Sequence, residues 1–353
     1  MIQTQERKRM KHGATLSAIC ALIMFATSSQ AHAQSAETFY KIQTLKLIVG
    51  TTPSATYDSY GRILARHMPK YMTGAPQVIV QNMVGAGGLV PTNWLYNVAP
   101  KDGTTFGTFA RGFPIQPLLD TKGIQYDSLK FNWIGSTASE VSLVWTWHDT
   151  QFKIFEDTMA REMIVPATGP GADSIIFPYA MNAILGTKFK VVPGYAGGPE
   201  LMLSVERGET QGIASTSYSN FTGTHHLWLE QNKVRFLAQL AMKKHPALQN
   251  VPMALDYAKS EADRQVLSLL FSRNLLAFPF AAPPGVPPDR VAYLRTAFRQ
   301  TTQDPAYLAD LKQARLESDP TFGEEMTKLI ADLFASAPDV IEKARQSVAG
   351  AQN

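Results

Sequence analysis

Cysteine is nearly missing from this chain: the only one among 353 residues is Cys20. It lies in an apolar stretch near the N-terminus, so everything downstream must hold its core without disulfides. Long hydrophobic runs are missing too. The stretch from Ala14 to about Ala26 covers about 13 residues, short of the roughly 20 that a membrane-spanning helix needs. No later segment is apolar enough to span. A strong charge of one sign is also absent. The formal net charge is +4, but Arg7, Lys8, Arg9 and Lys11 against Glu6 supply +3 of it, which leaves about +1 for the rest. Acids and bases are interspersed there, so the basic stripe that nucleic-acid binding requires does not form.

Catalytic signatures are absent as well. The G-x-S-x-G elbow, H-E-x-x-H and the phosphate-binding P-loop do not occur. Gly85-Ala86-Gly87-Gly88-Leu89-Val90 approaches a dinucleotide fingerprint but has Val90 where the third glycine belongs, and reads as a tight βα turn. His226 and Glu230 are four residues apart, whereas a metal site usually takes three or four ligands. No metal and no cofactor is expected, and the chain does not read as an enzyme.

Several positive signals remain. A basic segment, an apolar stretch and Ala31-His32-Ala33 together make a secretory signal peptide over residues 1–33, cleaved before Gln34. The expected mature protein is soluble and exported to the periplasm. Its length of about 320 residues suits two ordinary domains.

Strands and helices alternate twice along the chain. Leu45–Val49 is a short β-branched run before a turn, and a helix follows from near Thr56 or Asp58. Gln77–Gln81, Thr105–Phe109 and Phe131–Gly135 read as further strands. The pattern restarts with Glu162–Val165, a helix from about Asp173 to Leu185, strands at Lys188–Val192, Gln211–Ser215 and Val234–Leu240, and a helix over Pro199–Arg207. The last third is mostly helical, with a capping-box pattern at Thr321-Phe322-Gly323-Glu324. Alternation of this kind predicts α/β architecture, and two clusters predict two domains.

Two βα turns stand out as anion sites, because helix N-termini carry unpaired N–H groups and partial positive charge. One contains Thr51, Thr52, Ser54, Thr56, Tyr57 and Asp58; the other contains Thr168, Gly169, Gly171 and Ser174. Against this, Asp58 and Asp173 read equally as ordinary N-caps of ordinary turns. Arg111 follows a strand end, where it pairs either with a ligand carboxylate or with solvent. Gly87, Tyr195 and Ser215 complete the candidate set. Trp145 and Trp147 alternate as on one face of a strand, and core packing is preferred for them over stacking on a ligand ring.

The chain resembles the substrate-binding receptors of the tripartite tricarboxylate transporter family, expanded in some bacteria as the Bug receptors. The matching stretches include Asn82-Met83-Val84-Gly85-Ala86-Gly87-Gly88, Ala99-Pro100-Lys101-Asp102-Gly103, Phe131-Asn132-Trp133-Ile134-Gly135-Ser136, Gly194-Tyr195-Ala196-Gly197-Gly198 and Ala282-Pro283-Pro284-Gly285-Val286-Pro287. The resemblance implies a two-domain flytrap fold with a ligand cleft, crossed by the chain more than once. Lobe 1 would comprise 34–139 and 278–353, and lobe 2 140–277. It implies a monomeric receptor that hands a small organic acid, aliphatic or aromatic, to membrane transporter subunits. It also implies a ligand carboxylate held by the first βα turn. There the family's proline and glycines followed by Thr-Asp are replaced by Pro53-Ser54-Ala55-Thr56-Tyr57-Asp58, and Asp173 in the second turn argues against a simple dicarboxylate unless it caps its helix. A sensory receptor of the same fold and an exported hydrolase or isomerase are the rival readings.

Overall fold

Leu45–Val49 forms the strand that its composition predicts, buried at every position but Lys46. The computed structural model describes residues 35–351 apart from Thr121 and Pro170, so the expected signal peptide lies outside the described residues. In chain order the strands are β1 (Leu45–Val49), β2 (Val78–Asn82), β3 (Thr105–Thr108), β4 (Asn132–Ser136), β5 (Ser142–Trp147), β6 (Met163–Pro166), β7 (Phe189–Val192), β8 (Gly212–Ser217), β9 (Val234–Leu240), β10 (Pro279–Ala282) and β11 (Thr321–Phe322). The principal helices are α1 (Thr56–His67), α2 (Leu89–Asn97), α3 (Asp173–Leu185), α4 (Gly198–Glu206), α5 (Glu261–Phe271), α6 (Pro288–Thr302), α7 (Pro305–Gln313), α8 (Gly323–Phe334) and α9 (Pro338–Val348).

The architecture is α/β. A six-stranded sheet runs in the order β11-β4-β10-β3-β1-β2, with β1 parallel to β2 and β3 and with β10 and β11 antiparallel to their neighbours. A three-stranded antiparallel sheet (β8-β5-β9) and the parallel pair β6-β7 make up the second part. Two main cores follow. Leu47, Val49, Tyr60, Leu64, Phe106 and Phe280 fill one, around the larger sheet. Val144, Phe155, Val165, Ile176, Phe177 and Leu270 fill the other, beneath α3. The chain passes between these parts from β4 to β5 and again from α5 to β10.

Two segments depart from the division read in the sequence. Val340, Ala344 and Val348 of α9 recur at helical spacing, and this apolar stripe packs into the core of the second part, not the first. Ile115, Leu118 and Leu119 join that same core. The capping box at Thr321 is also replaced. Thr321 and Phe322 pair with Ser136 and Gly135 of β4, and no side chain caps α8. Backbone pairing to the sheet edge takes the place of the cap.

Trp145 is fully buried, donates its indole N–H to Thr216 Oγ1 (3.0 Å) and packs with Phe221 and Trp228. Trp147 sits edge-on to the same Trp228 ring. The pair shares one face of β5, and that face is core.

Candidate functional site

The turn after β1 is built around a carboxylate. Asp58 lies in the first turn of α1 and is 3% exposed. Its oxygens accept hydrogen bonds from the Ser54 N–H (2.9 Å), Arg62 Nε (2.8 Å) and Asn82 Nδ2 (2.8 Å). Asn82 Nδ2 also donates to the Thr51 carbonyl (2.9 Å). Burial alone would raise the Asp58 carboxyl, but these donors outweigh it and hold it below the usual carboxylate range. Asp58 is not the N-cap; Ala55 is, and it offers no side-chain bond. Asp58 therefore shapes the turn and has little capacity left for a ligand. The same restraint holds Ser54 in the left-handed region, at φ 66°, where glycine would sit without strain.

The turn after β6 is organised differently. Ala172 is the N-cap of α3 and makes no side-chain cap bond, so Asp173 is the first helical residue and not a cap. Its two oxygens are clamped between two guanidinium groups, from Arg111 Nε (2.6 Å) and Arg273 Nη1 (2.6 Å). Burial pushes the Asp173 carboxyl up, but Arg111 and then Arg273 overcome it, so the group stays ionised. Arg273 is fully buried. It lies so close to Gly112 that a Cβ there would meet Nη2 at 2.9 Å, so a larger residue at 112 would push on the clamped guanidinium.

Arg111 is the hub. Besides Asp173, its terminal nitrogens donate to Ser217 Oγ (3.2 Å) and Ser142 Oγ (3.0 Å), and Ser142 donates onward to Asn274 Oδ1 (3.1 Å). The Arg111 backbone N–H donates to the Tyr57 hydroxyl (3.0 Å), whose own ionisation burial pushes up to about 12. A guanidinium has five N–H bonds. Three are used here, so two remain for a ligand.

A cavity of about 200 Å³ is lined by Arg111, Thr168, Ser174, Ser215, Ser217 and Asn220 together with apolar Leu201, Met202 and Ile213. Thr168 and Ser174 bond one another at its mouth (3.2 Å). The Ser215 hydroxyl is buried with no hydrogen-bond partner among the described residues. A larger cavity of about 350 Å³ is bounded by Ser54 and Thr56 before and within α1, by the corner after α7, and by residues following β8. Asn220 lines both.

Of the residues singled out from sequence, Arg111, Thr168, Ser174 and Ser215 thus meet at the smaller cavity, and Ser54 and Thr56 at the larger. Thr51, Thr52, Tyr57, Asp58, Gly87, Gly169, Gly171 and Tyr195 line neither. Tyr57 and Asp58 support the site from behind, Gly87 is exposed, and Tyr195 packs against the Trp145 cluster. Sequence reasoning passed over Arg273, Ser142, Ser217 and Asn220. The signal for Arg273 was an arginine in the short polar step Ser272-Arg273-Asn274 flanked by Leu269-Leu270-Phe271 and Leu275-Leu276, a placement that buries it only if it is paired. Among the described residues no group of three or more His, Cys, Asp or Glu side chains is placed to hold a metal, and no helix is long and apolar enough to cross a membrane.

Residues 61–345 match the receptor of the tripartite tricarboxylate transporter family, TctC. The chain belongs to that family. The UPF0065 protein in the gbd 5′ region of Cupriavidus necator is 24% identical over 346 residues, covering 96% of this chain and 98% of its own. Solved structures that share the fold include the following two. A TctC solute-binding protein from Polaromonas, without ligand, is 20% identical with a TM-score of 0.63, over 86% of this chain and 99% of its own. MatC from Rhodopseudomonas palustris, with bound malate, is 17% identical with a TM-score of 0.62, over 87% and 99%. Proteins of this kind are two-domain periplasmic solute receptors serving a membrane transporter. In this TctC-family chain the junction between the two parts carries Arg111, Asp173 and Arg273, whose summed charge is +1 (two arginines against one aspartate).

Proposed function

We propose that this receptor binds one small organic carboxylate at the Arg111 cavity and delivers it to the membrane subunits of its transporter. The observation that carries the reading is the arginine–aspartate–arginine cluster with two guanidinium N–H groups unspent. Its single surplus charge suits one carboxylate, and Ser215 supplies a further donor that at present has no partner. The clamp also answers the objection raised by Asp173, since its charge is already matched twice over. Malate bound to MatC supports a carboxylate as the ligand class.

On this reading the lobes divide broadly as the sequence suggests, 34–139 with 278–353 against 140–277, with α9 crossing over to the second. A ligand touching both lobes stabilises the closed form by differential contact. The protein is exported by the signal peptide at 1–33, acts as a monomer and makes or breaks no bond. Asp58 and Asp173 are engaged by their own partners, and among the described residues no base is hydrogen-bonded to the buried Ser215 hydroxyl, which supports binding over hydrolysis.

Thermal unfolding against a panel of carboxylates, amines and neutral sugars tests the reading. A ligand at about 100 times its Kd adds roughly 2.7 kcal/mol, and carboxylates alone are expected to raise Tm. A shift from amines or neutral sugars with none from any carboxylate would overturn it.

A further inference from the structure

The surfaces of the two cavities say more about the ligand than its charge. In the smaller one, the Ser215 hydroxyl is buried with the residue only 8% exposed and has no partner. In the larger one, Thr56, Ser59, Thr224, Asn220 and His226 face the space. His226 Nδ1 sits against the Gly223 carbonyl at 3.0 Å, so it carries the proton and leaves Nε2 open. Asn220 uses its amide N–H on the Ser217 carbonyl (3.2 Å) and keeps its own carbonyl oxygen for a donor. Arg315 lines the far side, and its guanidinium has neither ion pair nor hydrogen bond among the described residues. Among those residues no carboxylate side chain lines either cavity, and the single aromatic ring there is the His226 imidazole.

These features exclude classes of ligand. An aromatic acid finds no Phe, Tyr or Trp ring to stack on. A cationic end meets Arg315 and no counter-charge. A plain aliphatic chain closed into this space would leave hydroxyls and amides without water or partner, which is costly for buried polar groups. A chain bearing hydroxyls satisfies them in both directions, because each ligand O–H both donates and accepts.

We infer that the ligand is a polyhydroxylated aliphatic carboxylic acid of the sugar-acid class, its carboxylate at Arg111 and its hydroxylated chain running past Asn220 into the larger cavity. The inference rests on the carboxylate reading of the Arg111 site and adds the chemistry of the rest of the molecule. It makes Asn220 a specificity residue, keeps Ser215 as a donor to the carboxylate, and leaves Asp58 a support of the turn.

Isothermal titration of the purified protein with acids of matched length tests it: the six-carbon aldonates gluconate, galactonate and mannonate, against hexanoate, adipate and benzoate. At least one aldonate is expected to bind about tenfold or more tighter than every non-hydroxylated acid, as sites built to bond a hydroxyl reject analogues that lack it. Asn220→Ala is expected to shrink that ratio and Ser215→Ala to weaken every acid alike, each with an unliganded Tm close to that of the parent. Hexanoate, adipate or benzoate binding as tightly as the best aldonate would overturn the sugar-acid inference and leave the carboxylate reading intact. If none of the acids binds while neutral six-carbon polyols do, both fall.

Discussion

Replacing Asp173 by asparagine separates stability from affinity in opposite directions. The parent carboxylate lies 2.6 Å from Arg111 Nε and 2.6 Å from Arg273 Nη1, with side-chain exposures of 14%, 10% and 0% for Asp173, Arg111 and Arg273. Asparagine keeps the shape and one acceptor oxygen but removes the negative charge. Two buried guanidinium groups then lose their shared counter-ion, with only the Glu140 carboxyl, pushed up to about 7 by burial, near Arg111. Removing one partner of a buried ionic group typically costs about 3–5 kcal/mol, a Tm loss on the order of 10 °C for a chain of this size. The surplus charge at the cavity rises from +1 to +2 (one aspartate fewer against the same two arginines), so a carboxylate ligand gains a second unpaired cation. The unliganded variant is therefore expected to unfold at markedly lower urea than the parent. The gap should narrow at saturating carboxylate, because ligand bound to the native state adds stability by mass action. Urea unfolding of both proteins with and without the best acid from the panel reads both effects. A loss below about 1 kcal/mol without ligand, or a gap that widens with carboxylate present, would refute the reasoning.

Glu140 gives a signed pH dependence. Burial pushes its carboxyl up from 4.5 to about 7, with Glu317 adding to the effect while Arg111 and the Ser219 hydroxyl oppose it. The native state keeps a proton that the unfolded chain releases. Stability from this group is thus full below about pH 4.5 and is lost as pH rises through about 7, by something on the order of 3 kcal/mol. Glu140→Gln should flatten that decline in urea unfolding from pH 5 to 8, and an unchanged slope would mean that Glu140 is not its source. Arg315 holds φ at 57° just past α7, so Arg315→Gly is expected to stabilise the unliganded protein by about 1 kcal/mol while weakening an anionic ligand in titration. Thr56→Ala combined with Ser174→Ala removes one hydroxyl from each cavity and is expected to weaken binding at least about tenfold, or about 1.4 kcal/mol; an unchanged Kd would take both hydroxyls out of the site.

Much of the fold was legible because its signals are local. The β1 strand and α3 appear with the bounds expected from composition and turn residues, Leu45–Val49 and Asp173–Leu185. The strand β10 was not legible. Its four residues begin with Pro279, and only pairing with β3 and β4, far away in sequence, makes Pro-Phe-Ala-Ala a strand. The site divides in the same manner. Thr168 and Ser174 could be found because they share one turn, and Arg111 because it follows a strand end. The pairing of Arg111 with Asp173 spans 62 positions and that of Arg273 with Asp173 spans 100, so neither leaves a pattern in any window of sequence. The role of Asp58 was misread for a related reason. An aspartate near a helix start reads as a cap or a ligand contact, while one of its three partners, Asn82, comes from the end of β2.

The location of the carboxylate is the central claim, and a crystal structure with the tightest-binding acid of the panel tests it most directly. The expected result is a ligand carboxylate about 2.7–2.9 Å from the Arg111 guanidinium, within hydrogen-bond reach of Ser215 Oγ, with Asp173 still clamped between Arg111 and Arg273. A carboxylate seated away from Arg111, with the Ser215 hydroxyl still unpartnered, would contradict it.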